Sequence, residues 1–155
     1  MKPLPALVPV ALLAACSVGG LYEDYPEVRV DIFDNVSERR THEFDFTDAV
    51  VQEMASRGIR VNKRNAPYTL KGRILDLRTP SVVDQARTDV VLVGSLKLHM
   101  EIWLVDNRTG ATVWKDDRVE AVTFSTARGE SFQSARQEMI DRVARWVVTH
   151  FEKEW

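Results

Sequence analysis

The residue types that most often perform chemistry are scattered along this chain of 155 residues. Its three histidines, His42, His99 and His150, lie far apart, and none has a histidine or cysteine neighbour at the spacing of a metal site. Glycine-rich phosphate loops and the short motifs of zinc and serine hydrolases are also missing from the sequence. Asp116 and Asp117 are adjacent carboxylates, but a solvated strand end explains them more simply than catalysis. We therefore predict no enzymatic activity, no metal and no bound cofactor.

The only cysteine, Cys16, lies in a context that gives its thiol another use. Met1-Lys2 provides a basic start, and the residues from Pro3 to Ala15 are uncharged and mostly apolar, which is typical of a secretory leader. This run is shorter than the roughly 18 apolar residues that indicate a membrane-spanning helix. Residues 13–16, Leu-Ala-Ala-Cys, resemble a lipobox. That resemblance implies cleavage before Cys16, diacylglycerol on its thiol and an N-acyl group on the new amino terminus. The alternative is an ordinary cysteine in an uncleaved leader.

These signals predict three parts: a lipoprotein signal peptide over residues 1–15, a lipidated tether over residues 16–26 and a single periplasmic domain over residues 27–155. Ser17 follows the cysteine, and resemblance to the sorting rules of enteric bacteria then favours the outer membrane. Lys2 is the one charged residue of the leader, so cleavage changes the formal net charge from −2 to −3. This charge argues against a nucleic-acid partner.

The apolar pattern of the domain predicts an alternation of strands and helices. The predicted elements are a strand over Glu27–Phe33, a helix over Phe44–Arg57, strands over Tyr68–Leu77, Val90–Val105 and Ala111–Phe124, and a helix over Glu130–Glu152. Turn or loop residues separate them at Asp34–Ser37, Thr79–Asp89 and Asp106–Gly110. We predict an α+β fold, a two-layer sandwich with two helices packed on one face of a mixed four- to five-stranded sheet.

Alternation decides which residues of each strand face the helices. In the first strand Val28, Val30 and Ile32 share one face. The clearest pattern is in Val90–Val105, where one face carries Leu96, Leu98, Met100, Ile102 and Leu104. Phe46, Ala49, Val50 and Met54 form the apolar stripe of the first helix, and that of the second contains Phe132, Ala135, Met139, Val143, Trp146, Val147 and His150.

The opposite sheet face is the candidate binding surface. It carries Lys97, His99 and Trp103, and by the same alternation Lys71 and Arg73. Cations beside an aromatic ring suit a phosphorylated or anionic amphiphile, through charge-assisted hydrogen bonds and stacking. The alternative is an ordinary solvated sheet face.

The four tryptophans have two explanations. Trp146 has the position of a core residue on the second helix. Trp103, Trp114 and Trp155 fit either interface anchors or packing within the core and at the sheet edge.

Five segments, in this order after a lipobox, resemble the lipopolysaccharide-assembly (LptE-like) lipoprotein family. They are Val28–Asn35, Glu43–Val50, Tyr68–Ile74, Trp103–Gly110 and Ile140–Val148. The resemblance covers nearly all of the mature chain. It implies a non-enzymatic protein at the periplasmic face of the outer membrane, which assembles with and plugs a lipopolysaccharide-translocating β-barrel and contacts lipopolysaccharide.

One feature departs from the family pattern. Many members have glycine and an aromatic residue directly after the lipidated cysteine, whereas here Gly20-Leu21-Tyr22 comes later. The alternative function is another periplasmic adaptor, such as a secretin pilot or an activator of a cell-wall synthase. No family motif identifies lipid-contacting basic residues, so Lys71, Arg73, Lys97 and Trp103 are candidates from the face argument alone.

Overall fold

The structure is a computed structural model that describes residues 27–37, 43–62, 64–79 and 93–152. Its elements are strands β1 (Val28–Val30), β2 (Asp34–Asn35), β3 (Tyr68–Arg78), β4 (Val93–Asp106) and β5 (Thr112–Ser125), helices α1 (Glu43–Ser56) and α2 (Phe132–Thr149), and a short 3-10 turn at Thr126–Arg128. The leader, the tether, most of the predicted loop over Thr79–Asp89 and Trp155 lie outside the described residues. Among the described residues, no helix combines the length and apolarity needed to cross a bilayer.

The sheet is mixed, as predicted. Strands β1 and β2 both run parallel to β3, and the β3–β4 and β4–β5 pairs are antiparallel, which gives the order β1-β3-β4-β5 with β2 also beside β3. Parallel neighbours need a crossover, and α1 supplies it between β2 and β3. Both helices pack on one face, which confirms the predicted two-layer α+β sandwich.

Strand β4 lies in the middle of this core. The predicted inner row is confirmed, because each of its five side chains is at most 2% exposed: Leu96, Leu98, Met100, Ile102 and Leu104. Leu70, Ile74 and Leu77 of β3 lie opposite members of that row and are also buried. Helices α1 and α2 cover this surface with buried apolar residues of their own.

The first predicted strand is wrong beyond Val30. Ile32 was expected to face the core but is 59% exposed, whereas Phe33 is 1% exposed. The reason is Gly72 on β3, which has no side chain, so the Phe33 ring occupies the space where a Cβ would stand. The predicted turn over Asp34–Ser37 is also wrong in part, because its first two residues form β2.

The first helix follows its predicted bounds to within one residue. Gly58 has φ +80°, the left-handed conformation that ends helices. Phe46, Val50 and Met54 are buried as predicted, whereas Ala49 is half-buried. Buried Thr47 adds a polar contact, because its Oγ1 accepts a hydrogen bond from the Phe33 backbone at 3.0 Å.

The second helix is shorter than predicted. Ser131 caps it, accepting a hydrogen bond at 3.1 Å from the backbone N–H of Ser134, so the helix starts after Ser131. Beyond the predicted stripe, Ile140, Ala144 and Val148 are buried because α1 packs alongside α2. Arg136 pairs with Asp45 and Arg57 pairs with Glu152, so the two helices run in the same direction.

The hairpin between β4 and β5 forms at the predicted residues. Gly110 has φ +74° at its end, and the Asp106 carboxylate accepts hydrogen bonds from the backbone of Arg108 and Thr109. These bonds and an ion pair with Arg108 outweigh slight desolvation, and they lower the pKa of Asp106. The turn fixes the register of β5 on β4.

Candidate functional site

The outer face of the sheet brings together three of the four predicted binding residues. Lys71 of β3 lies opposite Trp103 of β4, and Arg73 lies opposite Glu101. On the other side, Trp103 lies opposite Lys115 of β5. Lys71, Arg73 and Trp103 therefore lie together on the predicted face, and Lys115 of β5 is a fourth member of this cluster that was not predicted.

Two cations flank the Trp103 ring. The Arg73 guanidinium carbon and the Lys115 Nζ each lie 5.7 Å from the ring centroid, within the range of cation–π attraction. Such a ring, with two cations beside it, offers apolar and ionic contacts to one ligand.

The cations around Trp103 are not free charges. Glu101, whose side chain is 15% exposed, forms ion pairs with Lys115 at 2.6 Å and with Arg73 at 3.6 Å. Arg73 also contacts Asp34 at 3.4 Å, and Lys71 contacts Asp31 at 3.9 Å. Three cations therefore meet three carboxylates, and an anionic ligand would have to compete with partners already in place.

Lys97 lies apart from this cluster. It is six residues from Trp103 along the same strand, or about 20 Å. It lines a second, shallow cleft of about 240 Å³ with Asp76, Arg78, His99 and Val119. No acidic residue among the described ranges pairs with Lys97. The structure thus divides the predicted surface into a charge-balanced aromatic cluster and a separate, more open cationic cleft.

A buried ionic network links β5 to α2, and sequence reasoning missed it. Glu120 accepts hydrogen bonds from Arg142 at 2.9 Å and from Arg118 at 2.8 Å, although it is only 7% exposed. Burial raises the pKa of Glu120, but the bonds from Arg142 and Arg118 outweigh it and leave the pKa below its usual value. The middle of the inner row of β5 is therefore held to the helix by ion pairs, whereas Val122 and Phe124 of the same row are buried apolar residues.

His150 belongs to the same interface. Its Nε2 lies 2.9 Å from Asp116 Oδ2, and its Nδ1 lies 3.1 Å from the Trp146 carbonyl. The ring also stacks on Trp114 with a centroid distance of 4.8 Å. His150 thus caps and packs the end of α2.

The Asp116 and Asp117 side chains are 47% and 67% exposed, and the pair lies within β5 and not at a strand end. Both residues lie within β5 and point to opposite faces, Asp116 toward His150 and Asp117 toward His99 at 3.3 Å. Desolvation raises the pKa of Asp116, but the hydrogen bond with His150 and other hydrogen bonds outweigh this effect and leave the pKa below its usual value. Carboxylates directed to opposite faces of a sheet cannot act together as an acid–base pair.

The tryptophans resolve into different environments. Trp146 is 8% exposed and belongs to the core, as predicted. Trp114 is half-buried and packs edge-on against Phe151 at 5.6 Å, so packing, and not an exposed anchor, explains it. Trp103 lies on the outer face.

Solved structures share this fold at low sequence identity. PelC from Paraburkholderia phytofirmans has a TM-score of 0.57 and 19% identity, over 82% of this chain and 89% of that one. Protein CT253 from Chlamydia trachomatis has a TM-score of 0.56 and 13% identity, over 80% and 94%. Lipoprotein GNA1162 from Neisseria meningitidis has a TM-score of 0.51 and 12% identity, over 79% and 98%. At these identities the likeness shows the fold alone.

Sequence comparison gives a more specific result. No curated protein matches the chain significantly. A family model described as "LptE: Lipopolysaccharide-assembly" matches residues 25–150, which include every helix and strand of the fold. The resemblance seen in five separate segments thus extends over the whole domain, and the chain belongs to the lipopolysaccharide-assembly family LptE.

Proposed function

We propose that this chain is an outer-membrane lipoprotein that assembles with and plugs a lipopolysaccharide-translocating β-barrel, and so supports lipopolysaccharide transport and outer-membrane assembly. The match to the family model over residues 25–150 carries this proposal. The predicted lipid on Cys16 supports it, because two or three acyl chains on one residue hold a domain stably at a bilayer. The protein acts by binding and is not an enzyme.

The distribution of apolar and charged side chains in the domain suits a position inside the barrel lumen. Most of its buried apolar side chains lie between the helices and the sheet, and the outer face carries paired charges, such as Arg73 with Glu101 and Lys71 with Asp31, beside exposed valines such as Val119. A large barrel has a polar, water-filled interior, and paired charges tolerate such surroundings without loss of the core.

A pull-down tests this proposal. The tagged full-length protein is recovered from detergent-solubilised outer membranes of its source bacterium, and its partners are identified by mass spectrometry. We expect a barrel protein of the lipopolysaccharide-export type in a fixed ratio. Recovery of the lipoprotein alone, or with a secretin or a cell-wall synthase, contradicts the barrel proposal, and the second result supports the adaptor alternative.

We also propose that Lys71, Arg73, Lys97 and Trp103 contact the phosphorylated part of lipopolysaccharide in transit. Lys97 is the most accessible of the cations, because Lys71 and Arg73 have carboxylate partners. Purified lipopolysaccharide is the probe, and binding is measured for Lys97→Ala and Trp103→Ala. Arg108→Ala is the control, because that side chain is 83% exposed on the hairpin and lies off this face. Equal binding by all three variants and the unmodified protein contradicts this assignment.

A further inference from the structure

A β-bulge near the end of β3 decides which way its last side chains point. The pairing with β4 is regular up to Ile74 and resumes at Asp76, so Leu75 is an extra residue without a partner opposite it. Such an insertion bends the strand and redirects the side chains that follow it. Leu77 is consequently buried, and Arg78, which unbroken alternation would turn toward the core, lies on the outer face.

The bulge places Arg78 directly opposite Lys97 of β4. The Cβ atoms of directly opposite residues lie about 4.5–5.5 Å apart, and two like charges in these positions destabilise a sheet. Keeping the charge of Arg78 out of the core does not require a lysine opposite it. A bound anion between the two cations would remove their repulsion.

The surroundings of Lys97 differ from those of the other cations on this face. Lys71, Arg73 and Lys115 each have a carboxylate partner. The neighbour of Lys97 on β5 is Ala121, and no carboxylate of the described ranges forms an ion pair with this lysine. Its charge is therefore available to a ligand that reaches the cleft.

Asp76 holds the guanidinium of Arg78 in place. The Arg78 Nε donates to Asp76 Oδ2 at 2.7 Å, which uses one of the five N–H groups of the arginine. The Arg78 side chain is 76% exposed, and it lines the cleft of about 240 Å³ together with Asp76 and Lys97. A phosphate group carries several strong acceptor oxygens, so it can accept from the guanidinium and from the ammonium group at once.

We propose that Arg78 and Lys97 form a phosphate-binding site at this bulge, with Asp76 as a positioning residue. The ligand class is a phosphate monoester, a chemistry that a lipid headgroup and free phosphate share. The inference adds Arg78 to the residues proposed to contact lipopolysaccharide, and it rests on that proposed function only for the natural ligand. Phosphate binding by the site itself does not depend on the barrel.

A titration with inorganic phosphate tests the site. The isotope-labelled full-length lipoprotein is kept in micelles of an uncharged detergent, and its amide signals are followed by NMR at constant ionic strength. We expect a saturable change around residues 76–78 and 97, and sodium chloride gives the baseline. Arg78→Gln and Lys97→Gln should each raise the Kd by about tenfold, because each removes a charge-assisted hydrogen bond.

Arg108→Gln is the matched control. Arg108 is also an exposed arginine two residues after an aspartate that contacts it, Asp106, but it lies on the hairpin outside the strand pairing. We expect its substitution to leave the Kd unchanged. The same Kd in all three variants and the parent, or no saturable change around the bulge in any titration, overturns the proposal.

Stability provides a second readout. Phosphate should raise the urea midpoint of the parent, since it binds the folded state. Lys97→Gln removes the like-charge pair, so we expect a higher midpoint without phosphate and a smaller response to it. Arg108→Gln should retain the response of the parent. An equal response of the Lys97→Gln protein and the parent contradicts a site between Arg78 and Lys97.

A lipid arm identifies the source of the phosphate. Purified lipopolysaccharide and its dephosphorylated form are titrated in the same micelles. If Arg78→Gln and Lys97→Gln weaken binding of inorganic phosphate as well as of intact lipopolysaccharide, phosphate alone suffices; if they weaken only the latter, the lipid headgroup is the ligand. Binding that survives dephosphorylation unchanged and that neither variant weakens overturns the site. Both variants should still recover the barrel in the pull-down, so failure of the barrel proposal is seen separately.

Discussion

Gly72 determines the path of the chain before α1. It lies on the helix-facing row of β3, and an added Cβ would stand 2.7 Å from the Phe33 ring. That ring has little freedom to move, because it is buried and its backbone N–H donates to Thr47 Oγ1. We expect Gly72→Ala to lower the free energy of unfolding by about 1–3 kcal/mol, the usual cost of overpacking. Urea denaturation followed by circular dichroism measures this change.

A double variant separates this contact from a general effect of alanine. Phe33→Leu removes the ring that the new methyl group meets, so Gly72→Ala should cost less in the Phe33→Leu protein than in the parent. The same cost in both proteins would show that the Phe33 ring is not the reason for glycine at position 72.

The first strand shows the limit of residue-scale inference. Strict alternation placed Ile32 in the core, and the buried residue is Phe33. The cause is the missing side chain of Gly72, 39 positions further along the chain, and a local pattern does not contain that information. By contrast, Trp103 and Arg73 were placed on the correct face, because both lie in strands whose alternation continues around them.

At the scale of elements, the ionic network of Glu120 with Arg118 and Arg142 makes the stability of the β5–α2 interface depend on pH. The pKa of Glu120 is lower in the folded protein than its ordinary value of 4.5. Its contribution is therefore complete above that ordinary value and is lost as the pH falls through the folded value. Glu120→Gln should lower the free energy of unfolding by about 1–3 kcal/mol at neutral pH. We expect that loss to shrink when urea unfolding is repeated near pH 3.

Glu138→Gln is the control for the Glu120→Gln variant. Glu138 also contacts Arg142, at 2.7 Å, but its side chain is 50% exposed, so its ion pair is screened by solvent. We expect a small effect at both pH values. A pH-independent loss in the Glu120→Gln protein would indicate that the carboxylate contributes by packing and not by charge.

Helices and strands were predictable from the sequence where a single hydrophobic periodicity dominates the segment. The alternation of β4 and the apolar stripe of α1 gave bounds close to those observed, because each buries one face against many neighbours. The inner row of β5 was not assigned, because Asp116, Arg118 and Glu120 look like a solvated face in sequence. Glu120 bonds to Arg142 of α2, which is 22 residues away in sequence. Asp116 bonds to His150 at the end of that helix, which is 34 residues away. Only the tertiary arrangement brings these charges against α2, where Glu120 becomes buried.

At the scale of the whole molecule, the two faces of the sheet have different tasks. The inner face is committed to the helices, so a ligand or partner must use the outer face, the edges or the helix surfaces. The division of the outer face was not predictable, because register decides that Trp103 meets Lys71 and Lys115 while Lys97 meets Ala121. Sequence alternation gives the side of a residue, whereas strand pairing gives its neighbours.

Attachment of the whole molecule to the membrane depends on the predicted lipid anchor at Cys16. Cys16→Ala removes the thiol that would carry diacylglycerol, and without this modification the leader should stay attached. Each buried lipid methylene contributes roughly 0.8 kcal/mol, and stable anchoring takes more than one chain, so loss of the acyl groups should abolish stable attachment. We expect a soluble or inner-membrane precursor and reduced function, measured by fractionation and by the mass of the N-terminal peptide. Ser17→Ala is the control and should be processed normally. Unchanged outer-membrane association of the Cys16→Ala protein would show that contacts of the folded domain, not lipid, hold it at the membrane.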